Sequence, residues 1–161
     1  MAFIRPPISG GEELAILPLI EEPMLVVLPA AHSLASRDSV PVAALAQETL
    51  ILFPRAIGPG LHDAIIAACQ RAGFSPNLGQ EAPQIPSIVY MVAAGFGVSI
   101  VPQSTDQIRA EGVRYLPIKG DGPVAPISLA YRRDDHSPAV RNFVELARQS
   151  GRAAHRRRTT R

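Results

Sequence analysis

A chain of 161 residues, 47% hydrophobic and 19% charged, has the size and composition of one packed domain and lies away from disordered and collagen-like chains. Its formal charge of +2 conceals an asymmetry: five of the 16 basic residues (Arg152, Arg156, Arg157, Arg158 and Arg161) fall in the last ten positions, leaving a body of 11 basic against 14 acidic residues. Such a body has no broad basic face for nucleic acid phosphates, so DNA contact would fall to the tail or to sequence outside this chain.

In chain order, Met24 to Leu28 is an apolar run of strand length closed by Pro29, and Thr49 to Phe53 is a second closed by Pro54. Runs without alternation suit strands covered on both faces. A short helix is expected from Pro41. Pro59 then stands at the start of a helix with Leu61, Ile65, Ala68, Cys69 and Ala72 on one stripe and Gly73 as its left-handed stop.

Leu78 to Glu81 reads as a strand, and Pro86 and Ser87 open a helix through Ile88, Met91, Val92 and Ala94 that ends at Gly95. Val98 to Val101 is a strand stopped by Pro102, Gln103 to Ala110 a short helix closed by Gly112, and Val113 to Ile118 and Ile127 to Tyr131 are further strands. Ser137 can cap a last helix with Pro138 in its first turn and Val140, Phe143, Val144 and Ala147 on one face. Gly151 should end that helix, and residues 151–161, poor in apolar surface, should be disordered. From residue 48 this order of elements predicts an α/β domain with a mostly parallel sheet.

The chemistry-bearing motifs are sparse. Gly58-Pro-Gly60 lacks the Lys and Ser or Thr of a phosphate-binding loop, and Gly95-Phe-Gly97 lies between a helix and a strand, so both read as turns and no cofactor is implied. His32, His62, His136 and His155 have neither the spacing nor the carboxylate neighbours of a metal site. No Gly-x-Ser-x-Gly elbow is present, and Ser99 falls inside a strand, where packing or hydrogen bonding outweighs catalysis. No catalytic group and no metal set is therefore expected.

Cys69, the one cysteine, excludes an internal disulfide and reads as a small apolar helix residue. The uncharged stretch from Ile85 to Thr105 is broken by Pro86, Gly95, Gly97 and Pro102 and does not make a membrane span. The first residues show no secretory pattern, which makes the cytoplasm the default.

Two loops suit ligand binding, because ligands of open α/β sheets collect beyond the carboxyl ends of strands, against helix N-termini. They are Phe53 to Gly60, where Arg55 adds a charge, and Glu81 to Ser87. Ordinary connecting loops with a solvated Arg55 remain the alternative.

Glu22 to Ala35 (EPMLVVLPAAHSLA), Gly60 to Ile65, Ala72 to Pro76, and Val92 to Pro102 (VAAGFGVSIVP) together resemble the effector-binding domain of LysR-type transcriptional regulators. The likeness runs in order from about Ala2 to Ala147. It implies a fold like the type II periplasmic binding proteins: two α/β lobes joined by crossover strands, here near Glu22 to Pro29 and Val124 to Arg132, with a small inducer between them. On that reading residues 1–22 close the first lobe, 23–125 form a nearly complete second lobe, 126–150 return to the first, and 151–161 are the basic tail.

The resemblance also implies an inducer that is an aromatic or dicarboxylic acid, and an assembly that is oligomeric in intact members. Promoter DNA would be contacted only through a winged helix-turn-helix lying outside this chain. Carried over residue by residue, the effector site takes Phe3 and Arg5 from the first lobe, Pro54, Arg55, Ile57 and Gly58 from one second-lobe loop, and Gln84, Ile85 and Ser87 from the next. Arg55 is the foremost candidate for an inducer carboxylate, which a guanidinium can hold bidentately. The competing readings are a solute-binding protein of the same architecture, an enzyme on an α/β scaffold, and a truncated product without function. The basic tail adds the expectation of weak, salt-sensitive contact with nucleic acid.

Overall fold

The computed structural model describes residues 1–8 and 10–159, residues 154–159 by backbone path alone. The chain divides into two compact units, Met1–Glu21 with Pro126–Arg161, and Glu22–Ala125. Both divisions fall inside strands, β2 (Leu14–Pro29) and β7 (Val124–Arg132).

In the second unit β3 (Thr49–Leu52) and β4 (Asn77–Glu81) pair in parallel, and Val98, just before β5 (Ser99–Pro102), bridges Leu50 in parallel. The second half of β2 lies antiparallel between β5 and β6 (Val113–Pro117), with Met24 opposite Pro102 and Leu25 opposite Pro117. The spatial order is therefore β4-β3-β5-β2-β6. Four strands run one way and β2 the other, which corrects the expectation of a mostly parallel sheet by one interior antiparallel strand.

Strand β2 is also much longer than the Met24–Leu28 run. Of its three prolines, Pro18 and Pro23 fall before the registers with β5 and β6 begin at Met24 and Leu25, and Pro29 closes the strand opposite Val113 at the end of the β6 register.

Val26, Val27, Leu28, Leu50, Ile51 and Ile100 are inaccessible to solvent, as strands covered on both faces require. Over them pack α1 (Pro59–Arg71), through Leu61, His62, Ile65, Ala68 and Cys69, and α2 (Ile85–Ala93), through Ile88, Val89 and Val92. Gly73 and Gly95 end these helices at φ +89° and +82°. Burial pushes the Cys69 thiol pKa up, so this group packs and stays protonated at neutral pH.

Two expected short helices are 3-10 turns, Val42–Leu45 and Gln103–Gln107. The second stops short of Ala110 because Ile108 turns extended after its N–H bonds Thr105. Its Ser104 N–H donates to the buried Glu22 carboxylate, which caps the turn from the neighbouring strand. His32 holds the turn after β2: its Nδ1 accepts the Leu34 N–H at 3.1 Å while Nε2 faces Glu48 at 3.2 Å. An acceptor at Nδ1 places the ring proton on Nε2, toward the carboxylate.

In the first unit β1 (Ala2–Ile4) pairs antiparallel with β7, Phe3 opposite Leu129, and β7 adjoins β2. α3 (Pro138–Thr159) covers this sheet with Val140, Val144 and Ala147 packed on Leu129, Leu17 and Leu19. The Ser137 hydroxyl accepts the Val140 N–H at 3.4 Å, as a capping residue should. Phe143, expected on the buried face, is 37% exposed and stacks at a tilt on Phe3.

Gly151 does not end the helix, and the backbone from 151 to Thr159 is helical where disorder was expected. Thr160 and Arg161 lie outside the described residues. A Cβ on Gly151 would sit 2.8 Å from the Leu19 carbonyl oxygen, so this glycine serves a close helix-to-strand approach and has no left-handed conformation.

Candidate functional site

Parallel pairing of β3 and β4 places their carboxyl ends side by side, with Leu52 opposite Glu81 and the Ala82 N–H donating to the Leu52 carbonyl at 3.1 Å. The loops that leave these ends, 53–58 and 82–84, lead directly into α1 and α2. Pro54, Arg55, Ile57 and Gly58 stand on the first loop, while Gln84, Ile85 and Ser87 stand at the start of α2, so seven of the nine candidate residues share one end of one sheet.

Neither helix start receives a side-chain cap: Gly58 and Gln84 occupy the N-cap positions, and each helix has a proline in its first two positions. Backbone N–H groups at such starts carry partial positive charge and favour an anion.

The first loop is shaped by two contacts. The Ile57 N–H donates to the Pro54 carbonyl at 2.9 Å, closing a tight turn that leaves Arg55 and Ile57 exposed. Phe53, buried beneath the turn, packs so close to Gly58 that a Cβ there would lie 3.0 Å from its ring. Gly58 thus lets the loop close over the ring.

Arg55 is engaged by its own chain. Its Nε and Nη2 donate to Oδ1 and Oδ2 of Asp63, each at 2.7 Å, in the fork-on-fork geometry that guanidinium groups adopt with carboxylates. The Asp63 pKa is lowered to about 2, chiefly by the Arg55 hydrogen bond, with a further contribution from His62, whose Nδ1 lies 3.3 Å from Oδ1. The Arg55 pKa is raised, first by the same hydrogen bond.

A carboxyl whose folded value lies below its ordinary 3.8 contributes stability that is present above about 3.8 and lost as pH falls toward 2. Both side chains are exposed, so salt screens the pair and its contribution to folding is small. The expected result is a carboxyl titration of Asp63, followed by carbon NMR, with a midpoint near 2 in the wild type and a return toward 3.8 in Arg55→Ala.

Asp63 is the residue missed by reading the sequence. It sits in α1 beyond the first turn, and only the fold of the Pro54–Ile57 turn brings Arg55 back over it.

Phe3 and Arg5 belong to the first unit. There Phe3, 61% exposed, lines an apolar cavity of about 440 Å³ with Leu19, Ile127, Phe143, Leu146 and Gly151. Arg5 lies just past β1 and does not line it. In the second unit a cavity of about 390 Å³, lined by Met24, Gln103, Pro117, Ile118, Asp121 and Pro123 among others, contains none of the candidate residues.

Among the described residues no three His, Cys, Asp or Glu side chains converge as a metal-binding group, and no helix is long and apolar enough to cross a membrane. Ser99 is buried and donates its hydroxyl to the Ile51 carbonyl at 2.6 Å, tying β5 to β3.

Comparison with known proteins decides the family. Residues 1–152 match the profile of the LysR substrate binding domain. The chain belongs to the LysR substrate-binding domain family.

Among curated relatives, the HTH-type transcriptional regulator BudR of Raoultella terrigena is 32% identical over 146 residues, which are 91% of this chain and 50% of BudR. This LysR-family chain thus spans about half the length of the curated relatives it matches.

Among solved structures, the BenM effector binding domain with its effector benzoate superposes with a TM-score of 0.79 at 26% identity, over 91% of this chain and 67% of that one. Full-length CbnR complexed with its target DNA gives a TM-score of 0.80 at 28% identity, over 92% of this chain and 51% of that one. The fold is accordingly that of LysR effector-binding domains, α/β with the periplasmic-binding-protein-like arrangement of strands and helices.

Proposed function

We propose that this LysR-family chain is the inducer-sensing part of a bacterial transcription regulator and binds a small organic acid, aromatic or dicarboxylic. The acid sits at the carboxyl ends of β3 and β4, against Pro54, Arg55, Ile57 and Gly58 on one side and Gln84, Ile85 and Ser87 on the other. The observation that carries this reading is the convergence of two helix starts without side-chain caps and a guanidinium at one sheet end. The benzoate held by the BenM domain supports an aromatic acid as the ligand class.

The role is binding alone, without a catalytic group, and it is carried out in the cytoplasm. Promoter DNA is read by another part of a longer regulator: the mildly acidic body of this chain gives phosphates no broad basic face. The acid acts by shifting the population of the regulator's conformations, to the extent that it binds one more tightly than another.

Thermal denaturation of the purified chain against benzoate, succinate and neutral controls tests the reading. A ligand that binds only the folded state stabilises it by about 2.7 kcal/mol at a hundredfold excess over its Kd. At least one acid should raise the midpoint in a saturable way. A cooperative transition that no acid in the panel moves would contradict it.

A further inference from the structure

We propose that Asp63 is a specificity-determining residue of the acid site: a built-in carboxylate that holds the Arg55 guanidinium and sets a threshold an incoming acid must exceed. The inference rests on the effector-site reading above and adds to it the residue that selects among ligands by charge.

The geometry defines the competition. Arg55 presents to Asp63 the two parallel N–H donors that a guanidinium offers a planar carboxylate, with both distances at 2.7 Å. An acid that takes the same face of Arg55 must break both bonds, and it then approaches a second negative charge, that of Asp63. A neutral ligand meets neither cost.

The pair is also exposed, with the Arg55 side chain at 66% and that of Asp63 at 49% of full accessibility. An exposed pair is weak enough for a ligand to displace, whereas a buried one would lock the guanidinium away. Within α1 the Asp63 carboxylate touches the buried His62, whose Nδ1 lies 3.3 Å from Oδ1, while the apolar anchors Leu61, Ile65, Ala68 and Cys69 pack without it. Asp63→Asn keeps an oxygen for His62 and removes the charge.

The experiment measures benzoate and benzamide binding by calorimetry to the wild-type chain, Asp63→Asn, Arg55→Ala and the double variant, after denaturation scans establish that each is folded. Benzamide keeps the ring and removes the charge. Asp63→Asn should bind benzoate roughly three- to fivefold more tightly, the scale of an exposed ion pair, and benzamide unchanged. On the Arg55→Ala background the same substitution should give no gain, because the competition has lost its object.

Benzoate binding that is unchanged or weaker in Asp63→Asn would overturn the proposal while leaving the acid site standing. A gain that persists without Arg55, or that benzamide shares, would also overturn it, by showing a general effect on the fold or field. Benzoate bound by neither the wild type nor any variant would overturn this inference, and the effector-site reading falls with it when succinate also fails to bind the folded chain.

Discussion

Replacing Gly97 by alanine should destabilise the second unit by about 2–4 kcal/mol, combining the overpacking of a core contact with the strain of a backbone conformation that side chains avoid. Gly97 has φ +153°, and a Cβ there would lie 2.3 Å from the Thr49 carbonyl oxygen. That oxygen is not free to retreat: it accepts the Val98 N–H at 2.9 Å, in the bridge that fastens β5 to β3. The added methyl must therefore part the two strands whose ends carry the candidate site.

Gly95, two residues earlier, makes a control. It too has positive φ, at +82°, but nothing lies within 4 Å of its would-be Cβ, so alanine there carries only backbone strain, about 1 kcal/mol. Urea denaturation followed by far-ultraviolet circular dichroism should give a clearly lower midpoint for Gly97→Ala than for Gly95→Ala. Equal losses would mean that conformation alone, without close approach, explains the pair of glycines.

The second large effect is expected at Phe53. Truncating a buried aromatic side chain to alanine typically costs about 3–5 kcal/mol. Here it also removes the surface on which the Pro54–Ile57 turn closes, since Gly58 rests directly against the ring. Phe53→Ala should therefore lower the denaturation midpoint and weaken acid binding together, the second because Arg55 loses its fixed position. Phe53→Leu keeps most of the volume and should restore much of both. Acid affinity that survives in a folded Phe53→Ala would show that the turn needs no support from below, or that the acid binds elsewhere.

Much of the second unit was readable from residue types alone. Continuous apolar runs at Met24–Leu28 and Thr49–Phe53 are what doubly covered strands require, and prolines at 59 and 86 with glycines at 73 and 95 mark helix ends by their own backbone chemistry. The first half of β2 was harder. From Leu14 to Glu21 it is half-buried or exposed and carries Pro18, so it lacks the apolar run that announces a strand, and its partner β7 lies far along the chain.

Gly151 was misread for a related reason. A glycine after a periodic stretch looks like a helix stop, and only the Leu19 backbone, distant in sequence, reveals it as a contact residue. At the candidate site, the general rule for open sheets located both loops, and the family resemblance named residues within them. The Arg55–Asp63 pair escaped because it depends on how a turn folds back over a helix, which residue spacing does not encode.

The central claim is that an acid binds at the carboxyl ends of β3 and β4, and amide and carboxyl-carbon NMR of the labelled chain, titrated with benzoate and separately with succinate, tests it most directly. The account predicts saturable shifts concentrated in residues 53–58 and 82–87, with the Asp63 carboxyl moving as Arg55 changes partner. Shifts concentrated instead around Phe3, Phe143 and Leu146 at the apolar cavity of the first unit, or no saturable shift from a folded chain, would contradict it.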